Sequence, residues 1–420
     1  TAIGKDALDT NTTGSGNVAV GLDSLDANTT ADDNTAIGRS SMAANTTGAA
    51  NAALGAYALD ANTTASNNTA VGYNSLGANT TGASNIAIGK DALDTNTTGS
   101  SNVAIGMDAL DANTTADDNV AVGRSAMAAN TSGTDNVSVG AYSLDANTTA
   151  SNNTAVGYAS LGANTTGTSN VAVGYTALDA NTTADNNTGL GAYALTSNTT
   201  GTNNTASGSG AMNTNTTGDN NTAMGVSALY TNNADNNTAF GRSALSANTT
   251  GTRNVAVGTY SLDANTTAND NTAVGYNAAT AITTGVSNTA IGATALGTLT
   301  TGSRNAALGY MALQLQTGAS DNVGIGNFAG GAVTTGDYNT LVGSLAGDGI
   351  TTASSLTAFG YRALSAPSCT GANNTAVGKD AMLSNTTGSE NTAVGTAALD
   401  ANTTGVSNVA LGRASLGANT

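Results

Sequence analysis

Residues 68–85 read NTAVGYNSLGANTTGASN, from Asn68 round to Asn85, and nearly the same words recur along the whole chain. The repeat hangs on a glycine: Gly4, Gly21, Gly38, Gly55, Gly72, Gly89 and onward to Gly412, 25 anchors in all. Their spacing is 17 residues, except 16 between Gly225 and Gly241 and 18 between Gly360 and Gly378. One slip shortens the phase and the other restores it, as length changes in a surface turn do.

Within each unit, N-t-A-v-G-x-x-a-L-x-x-N-T-T-g-x-x, three columns hardly vary. The residue before the anchor is bulky and apolar in 24 of 25 units, Ser207 being the exception. The one before that is Ala in 21, replaced by Ser138, Gly189, Gly324 and Leu341. Four places after the anchor, Leu or Met stands in 22, as at Leu8 and Leu25, and fails at Ala279, Gly330 and Gly347. A longer period overlies the first: residues 86–170 repeat residues 1–85 nearly word for word, with GKDALDTNTTGS at Gly4 and again at Gly89.

A 17-residue period carries no helical stripe and is too short for a helix pair. Its apolar residues sit in short β-type clusters, TAV and AL, set off by Gly, Asn and Asp. The physical solution is an all-β parallel β-solenoid (a β-roll) of about 25 coils, one repeat per coil, each strand lying on its copy above and below. One coil cannot bury its few apolar side chains, whereas a stack turns them into a continuous narrow core. Twenty-five coils at the strand spacing would rise roughly 120 Å. The array reads as one continuous domain over 1–420, least regular over 311–370. It opens and stops inside a repeat, the expectation for a fragment of a longer fibre.

Composition alone points elsewhere. Charged residues are 9%, aromatics 4%, and Trp and His are missing. Leu, Ile, Val and Phe together make roughly 15%, below the level of an ordinary globular core. With a net charge of −17 such a chain would be disordered if its apolar residues were scattered. They recur in columns, which decides for order. The acidic balance speaks against nucleic acid and anionic membranes as partners, and no apolar run approaches a membrane span, so membrane insertion is not expected. Cys369 is alone, so no disulfide closes within the chain.

Asn recurs four places before the anchor (Asn17, Asn34 and on to Asn408), broken only by Leu356. Stacked amides would form a ladder there, and Asn tolerates the left-handed conformation that a corner needs. Gly4, Gly21 and Gly38 would adopt a backbone angle closed to other residues. A second Asn opens the NTT segment: Asn11, Asn28, Asn45, Asn62, Asn79, Asn96, Asn113, Asn130 and others. Each is formally an acceptor for N-linked glycosylation, which would make a glycan-coated fibre. A second ladder followed by a Thr ladder is the competing reading. It is favoured because the same position becomes Ile282, Leu299, Gln316, Val333, Ile350 and Pro367 further on, mostly apolar and so inward-facing. Successive strand residues point to opposite faces, so either the Val/Ile column or the Ala column faces out. A strand apolar on both faces is normally covered on both. Columns of small Ala would suit close approach by another chain, and several rods packed side by side are expected.

N-[TV]-A-[VI]-G resembles the head repeats of YadA-like trimeric autotransporter adhesins. The longer NTAVGYNSLGANTTG is similar to repeats of phage tail-fibre-like and bacterial surface proteins. The likeness covers essentially the whole chain and is specific for architecture. It implies a left-handed parallel β-roll, a homotrimer, and an extracellular, cell-surface or virion setting. The 17-residue period exceeds the usual coil of those heads.

Without His, the commonest general base and the Ser-His-Asp and Cys-His arrangements are missing, and no enzyme or cofactor is expected. Asp recurs five places after the anchor (Asp9, Asp26, Asp60, Asp94, Asp111), a pattern along a surface. The pairs Asp32-Asp33 and Asp117-Asp118 would hold Ca²⁺ weakly, a solvated turn being preferred. Tyr73, Tyr158, Tyr175, Tyr276 and Tyr310 would stack on sugars or be scattered surface aromatics, the second preferred. The leading expectation is a structural fibre shaft. The alternatives are an adhesin gripping glycans or a host surface with its side face and, third, an ice-binding solenoid, although Val18, Val103 and Val120 interrupt its Thr column.

Overall fold

A computed structural model describes residues 1–418 as two compact units of one design, Thr1–Ser209 and a second beginning at Gly210. The chain is an all-β parallel solenoid with one 17-residue lap per coil. Each lap contributes one short strand, and the remainder is turn. In the first unit the strands run from Ala2–Ile3 and Val18–Val20 to Thr205–Ser207; in the second, from Thr222–Met224 to Val409–Leu411. Pairing within each unit is parallel and in register, like on like: Ala36 against Ala53, Ala87 against Ala104.

The three-residue strand settles which face is inside. Its middle residue, the Ala column, is buried in every lap after the first (Ala36, Ala70, Ala104 and Ala155 are all at 0% exposure), while Ile88 and Val139 beside the anchors are 38% and 37% exposed. The small residue faces inward because the lumen of a 17-residue lap is narrow. The bulky one faces out. The expectation that Ala would line an outer contact with another chain is therefore overturned.

The second apolar cluster is not a strand. Leu25 and its counterparts take left-handed backbone angles (φ 55° at Leu25, 52° at Leu93), so Ser24 and Leu25, or Ala92 and Leu93, both turn inward and are fully buried. Two neighbouring residues share one face only because the chain is turning between them. Left-handed angles also fall two places after the anchor and just before the ladder Asn, as at Asp23 (φ 55°) and Asp33 (φ 56°). The corner residue is thus Asp33, not the ladder Asn34. A left-handed non-Gly residue costs about 1–2 kcal/mol. It persists here because the turned peptide aims its N–H along the stack: Asp23 N–H donates to Lys5 O (3.1 Å), Leu25 N–H to Ser41 O (3.0 Å) and Asp33 N–H to Ser15 O (2.9 Å). The anchor is Gly for two reasons. Gly123 sits at φ 140°, and a Cβ on it would lie 2.5 Å from the carbonyl oxygen of Gly140 in the next coil.

Two amide ladders close the core. In the first, Asn28 Nδ2 donates to Asn11 Oδ1 (2.8 Å) and Asn45 Nδ2 to Asn28 Oδ1 (3.1 Å). In the second, Asn34 Oδ1 accepts the backbone N–H of Asn51 (3.0 Å). Where both Asn are present the ladders meet at one carbonyl: Gly48 O accepts Asn34 Nδ2 at 2.9 Å and Asn45 Nδ2 at 3.0 Å. Where Ile282 replaces the next donor, Asn265 Oδ1 is left buried without a partner. Gln316, between Leu299 and Val333 in that column, is buried with both amide atoms unpartnered.

The shorter lap loses its residue in the corner after the first ladder, whereas the longer lap takes up its extra length before that column. At the shorter lap, Asn232 keeps its column, donating to Asn215 Oδ1 (3.4 Å) and accepting from Asn248 Nδ2 (2.6 Å). At the longer lap the extra residue pushes Pro367 out to solvent, and Cys369 fills the column, fully buried and bridged to Ile350. The inward successor of Ile350 is therefore Cys369, not Pro367. Residues 311–370 otherwise hold register, Ile325 against Val342 and Val342 against Phe359. Their lost Leu side chains are compensated. A Cβ on Gly330 would lie 2.7 Å from Leu341 Cδ1, and one on Gly347 2.9 Å from Leu341 Cδ2. Leu341, standing where other coils have Ala, thus fills the space that Gly330 and Gly347 leave.

Two stability outcomes follow. Asn113→Leu strands Asn96 Oδ1, which now accepts Asn113 Nδ2 at 2.9 Å, and should lower unfolding free energy by about 1–3 kcal/mol in urea titration. Leu341→Ala should cost about 2–5 kcal/mol, and adding Gly330→Leu should restore part of that loss in a double-mutant cycle.

Candidate interaction surface

Three features reach solvent in repeated columns: the outer strand face, the acidic column, and the corner just after the anchor.

The outer strand face holds the residues one and three places before each anchor. Ile86, Ile88, Val137 and Val139 are 36–38% exposed, Leu54 50%. The inner partners of this face are Ala, so it has bulk only on its solvent side.

The NTT segments sort by depth. Asn28 to Asn130 in that series are buried at 0% exposure, and their Nδ2 atoms, where a glycan would be attached, donate hydrogen bonds, Asn113 Nδ2 to Asn96 Oδ1 and Ala116 O. A sugar on Nδ2 has no room in the folded coil; Asn11, partly exposed, donates to Gly14 O (3.0 Å). The first Thr directs its hydroxyl to the next coil, as Thr46 Oγ1 does to Thr63 O (3.0 Å), while the second, such as Thr64, is exposed. Asn17, Asn34, Gly4, Gly21, Gly38 and Leu25 belong to the stack itself, and Leu8, in the first lap, is half-buried.

Paired acids have separate tasks. Asp32 Oδ1 accepts Ser15 N–H (2.7 Å) and Oγ (3.0 Å), which holds its carboxyl below the usual range, while Asp33 turns the corner. Asp117 Oδ1 likewise accepts Ser100 N–H (2.6 Å), and Ser66 Oγ does the same for Ala49 N–H (3.0 Å). Among the described residues no three metal-ligating side chains gather. In the column five places after the anchor, burial pushes Asp60, Asp145 and Asp179 upward. Asp94 and Asp111 rise for the same cause, with neighbouring Asp residues adding to it.

The tyrosines are not scattered. Tyr142, Tyr158, Tyr175 and Tyr193 stand on four successive coils with ring centroids 5.9, 5.5 and 5.4 Å apart. Tyr158 and Tyr175 are stacked, 12° between planes, and their outer neighbours meet them edge-on at 83° and 70°. Arg124 lies over the Tyr142 ring at 4.7 Å. The same step appears one 85-residue block earlier, with Arg39 over Tyr57 at 4.6 Å and Tyr57 5.8 Å from Tyr73. It appears again as Arg242 over Tyr260 at 5.7 Å. The signal was in the sequence: Arg, Tyr 18 residues on, then Tyr 16 further, at 39/57/73, 124/142/158 and 242/260/276. It is missed when each column is read alone, because the row crosses from one column to the next.

A scan of protein-family models gives no match to this chain, and no curated protein matches it.

The raised and lowered carboxyls set opposite pH responses. For Asp60, Asp94, Asp111, Asp145 and Asp179 the folded state holds the proton more tightly than the unfolded chain, whose carboxyls titrate near 3.8. Their contribution to stability therefore increases as pH falls from neutral toward that value. Asp32, Asp270 and Asp321, held low by Ser15, Arg253 and Arg304, lose theirs as pH falls further. The thermal midpoint should climb between pH 7 and about pH 4, then fall below it. Replacing Asp60, Asp145 and Asp179 with Asn should flatten the climb in a calorimetric pH series.

Proposed function

We propose that the chain is a length of structural fibre shaft, extracellular on a cell surface or virion, whose outer strand face lies against further copies of itself. The observation that supports it is the column before the anchor, bulky and apolar on 24 of 25 coils and turned outward. A parallel sheet is ordinarily covered on both faces, and a run of exposed aliphatic side chains is the mark of an association surface. The lumen side is already filled by Ala and Leu, so the outer cover comes from another chain. The resemblance noted above favours three. Repetition without chemical variety suits this role, since copying blocks of five coils lengthens a support and leaves its cross-section unchanged.

Sedimentation of the full chain should show concentration-dependent association, with filaments or side-by-side bundles in electron micrographs. Val122→Lys, Val139→Lys and Val173→Lys combined should weaken that association at least about tenfold, an effect of 1.4 kcal/mol or more, without loss of β-sheet signal in circular dichroism. A chain that stays monomeric at every concentration overturns the reading.

A further inference from the structure

We infer that the tyrosine row headed by Arg124 is a binding strip for a neutral, extended polysaccharide, one sugar ring set against each tyrosine.

The row is one side chain wide and four coils long, and it follows the stacking direction. That shape fits a linear polymer better than the rounded patch of a protein contact. Its rings are available: Tyr158, Tyr175 and Tyr193 remain 48%, 49% and 47% exposed even though they touch one another. The centroid steps of 5.4–5.9 Å are comparable to the length of one pyranose in an extended chain. Pyranose C–H faces pack on aromatic rings, which supply a large rigid contact area with a polar tip for hydroxyl partners. Asp179, partly exposed, follows Tyr175 by four residues in the same lap.

Charge chooses among the polymers that stack on aromatics. Single-stranded nucleic acid uses such rows too, but within a positively charged groove. Here one guanidinium, Arg124, is already engaged by the Tyr142 ring, and the whole chain carries −17. A neutral chain is the ligand class that remains. The recurrence of the step at Arg39, which lies over Tyr57 with Tyr57 5.8 Å from Tyr73, points the same way, because it gives a second, shorter copy of the strip. The inference is independent of the shaft reading, since a monomeric chain would carry the same row.

The test uses the full chain and measures calorimetric binding of hexamers of β-1,4-linked glucose and of β-1,4-linked N-acetylglucosamine, beside a sulfated polysaccharide and a proline-rich peptide. Saturable binding of at least one neutral hexamer is expected, with no binding of the sulfated polymer or the peptide. Tyr158→Ala with Tyr175→Ala should weaken it about tenfold or more. Tyr158→Phe with Tyr175→Phe, which keeps the rings, should stay within about threefold. Circular dichroism and thermal midpoint check that the variants fold. Should the Ala variant unfold, saturation-transfer NMR on the unaltered chain must place the sugar protons against tyrosine rings. Absence of saturable binding by both neutral hexamers, equal binding by the Ala variant, or preference for the sulfated polymer or the peptide overturns the inference.

Discussion

The structure depends on satisfying amides that cannot reach water. A lap of 17 residues that spends only three on a strand leaves most of its peptide groups in turns, where unpartnered buried donors and acceptors are costly. The repeat answers them one coil away. Peptides at left-handed residues point along the stack, and in laps that keep both Asn the two side chains converge on a single Gly or Ala carbonyl. A chain with so few large apolar residues can therefore be ordered, because its interior is held by matched amides and close-packed Ala, with one Leu per lap as the main bulk. Local backbone strain is the accompanying cost, and it is tolerable only while the coils above and below supply the bonds that justify it.

Much of this was legible in the sequence. The period and the parallel register follow from stretches such as 68–85, because a stack forces like onto like, and the inward place of the NTT Asn follows from the mostly apolar residues that replace it from Ile282 onward. Other features were hidden for identifiable reasons. Alternation along a strand gives the relative orientation of Ala and Val but not which is inside, and lumen width decides that. A left-handed Leu leaves no propensity signal: Leu is a poor residue for that region, and only the stacked coils enforce it. The corner residue was misplaced by one position because Asn tolerates the same angles as the Asp, Ser and Asn that precede it. Pro367 was aligned by counting, which fails where a lap has gained a residue.

Residues 311–370 are a further case in which reading single columns misleads. Gly330 and Gly347 look like losses, and Leu341 like an intrusion. Together they conserve the filled volume of the lumen, as close packing requires. The buried and unpartnered Gln316 marks where the amide column has given way to an aliphatic one. The section has changed its core chemistry while keeping its register, and the neighbouring strands show no displacement of pairing.

The amide ladder also has a direction. Each Nδ2 donates toward the coil that precedes it in the chain, as Asn96 does to Asn79 and Asn113 to Asn96. One surface of a lap that carries this Asn consequently offers carbonyl oxygens in the column, and the opposite surface offers N–H groups. The two are complementary to each other and not to themselves. Growth along the axis is thereby vectorial: a lap accepts another only head-to-tail, and the side-chain dipoles add in one sense, giving the stack an electrical polarity in a column without a single charged residue.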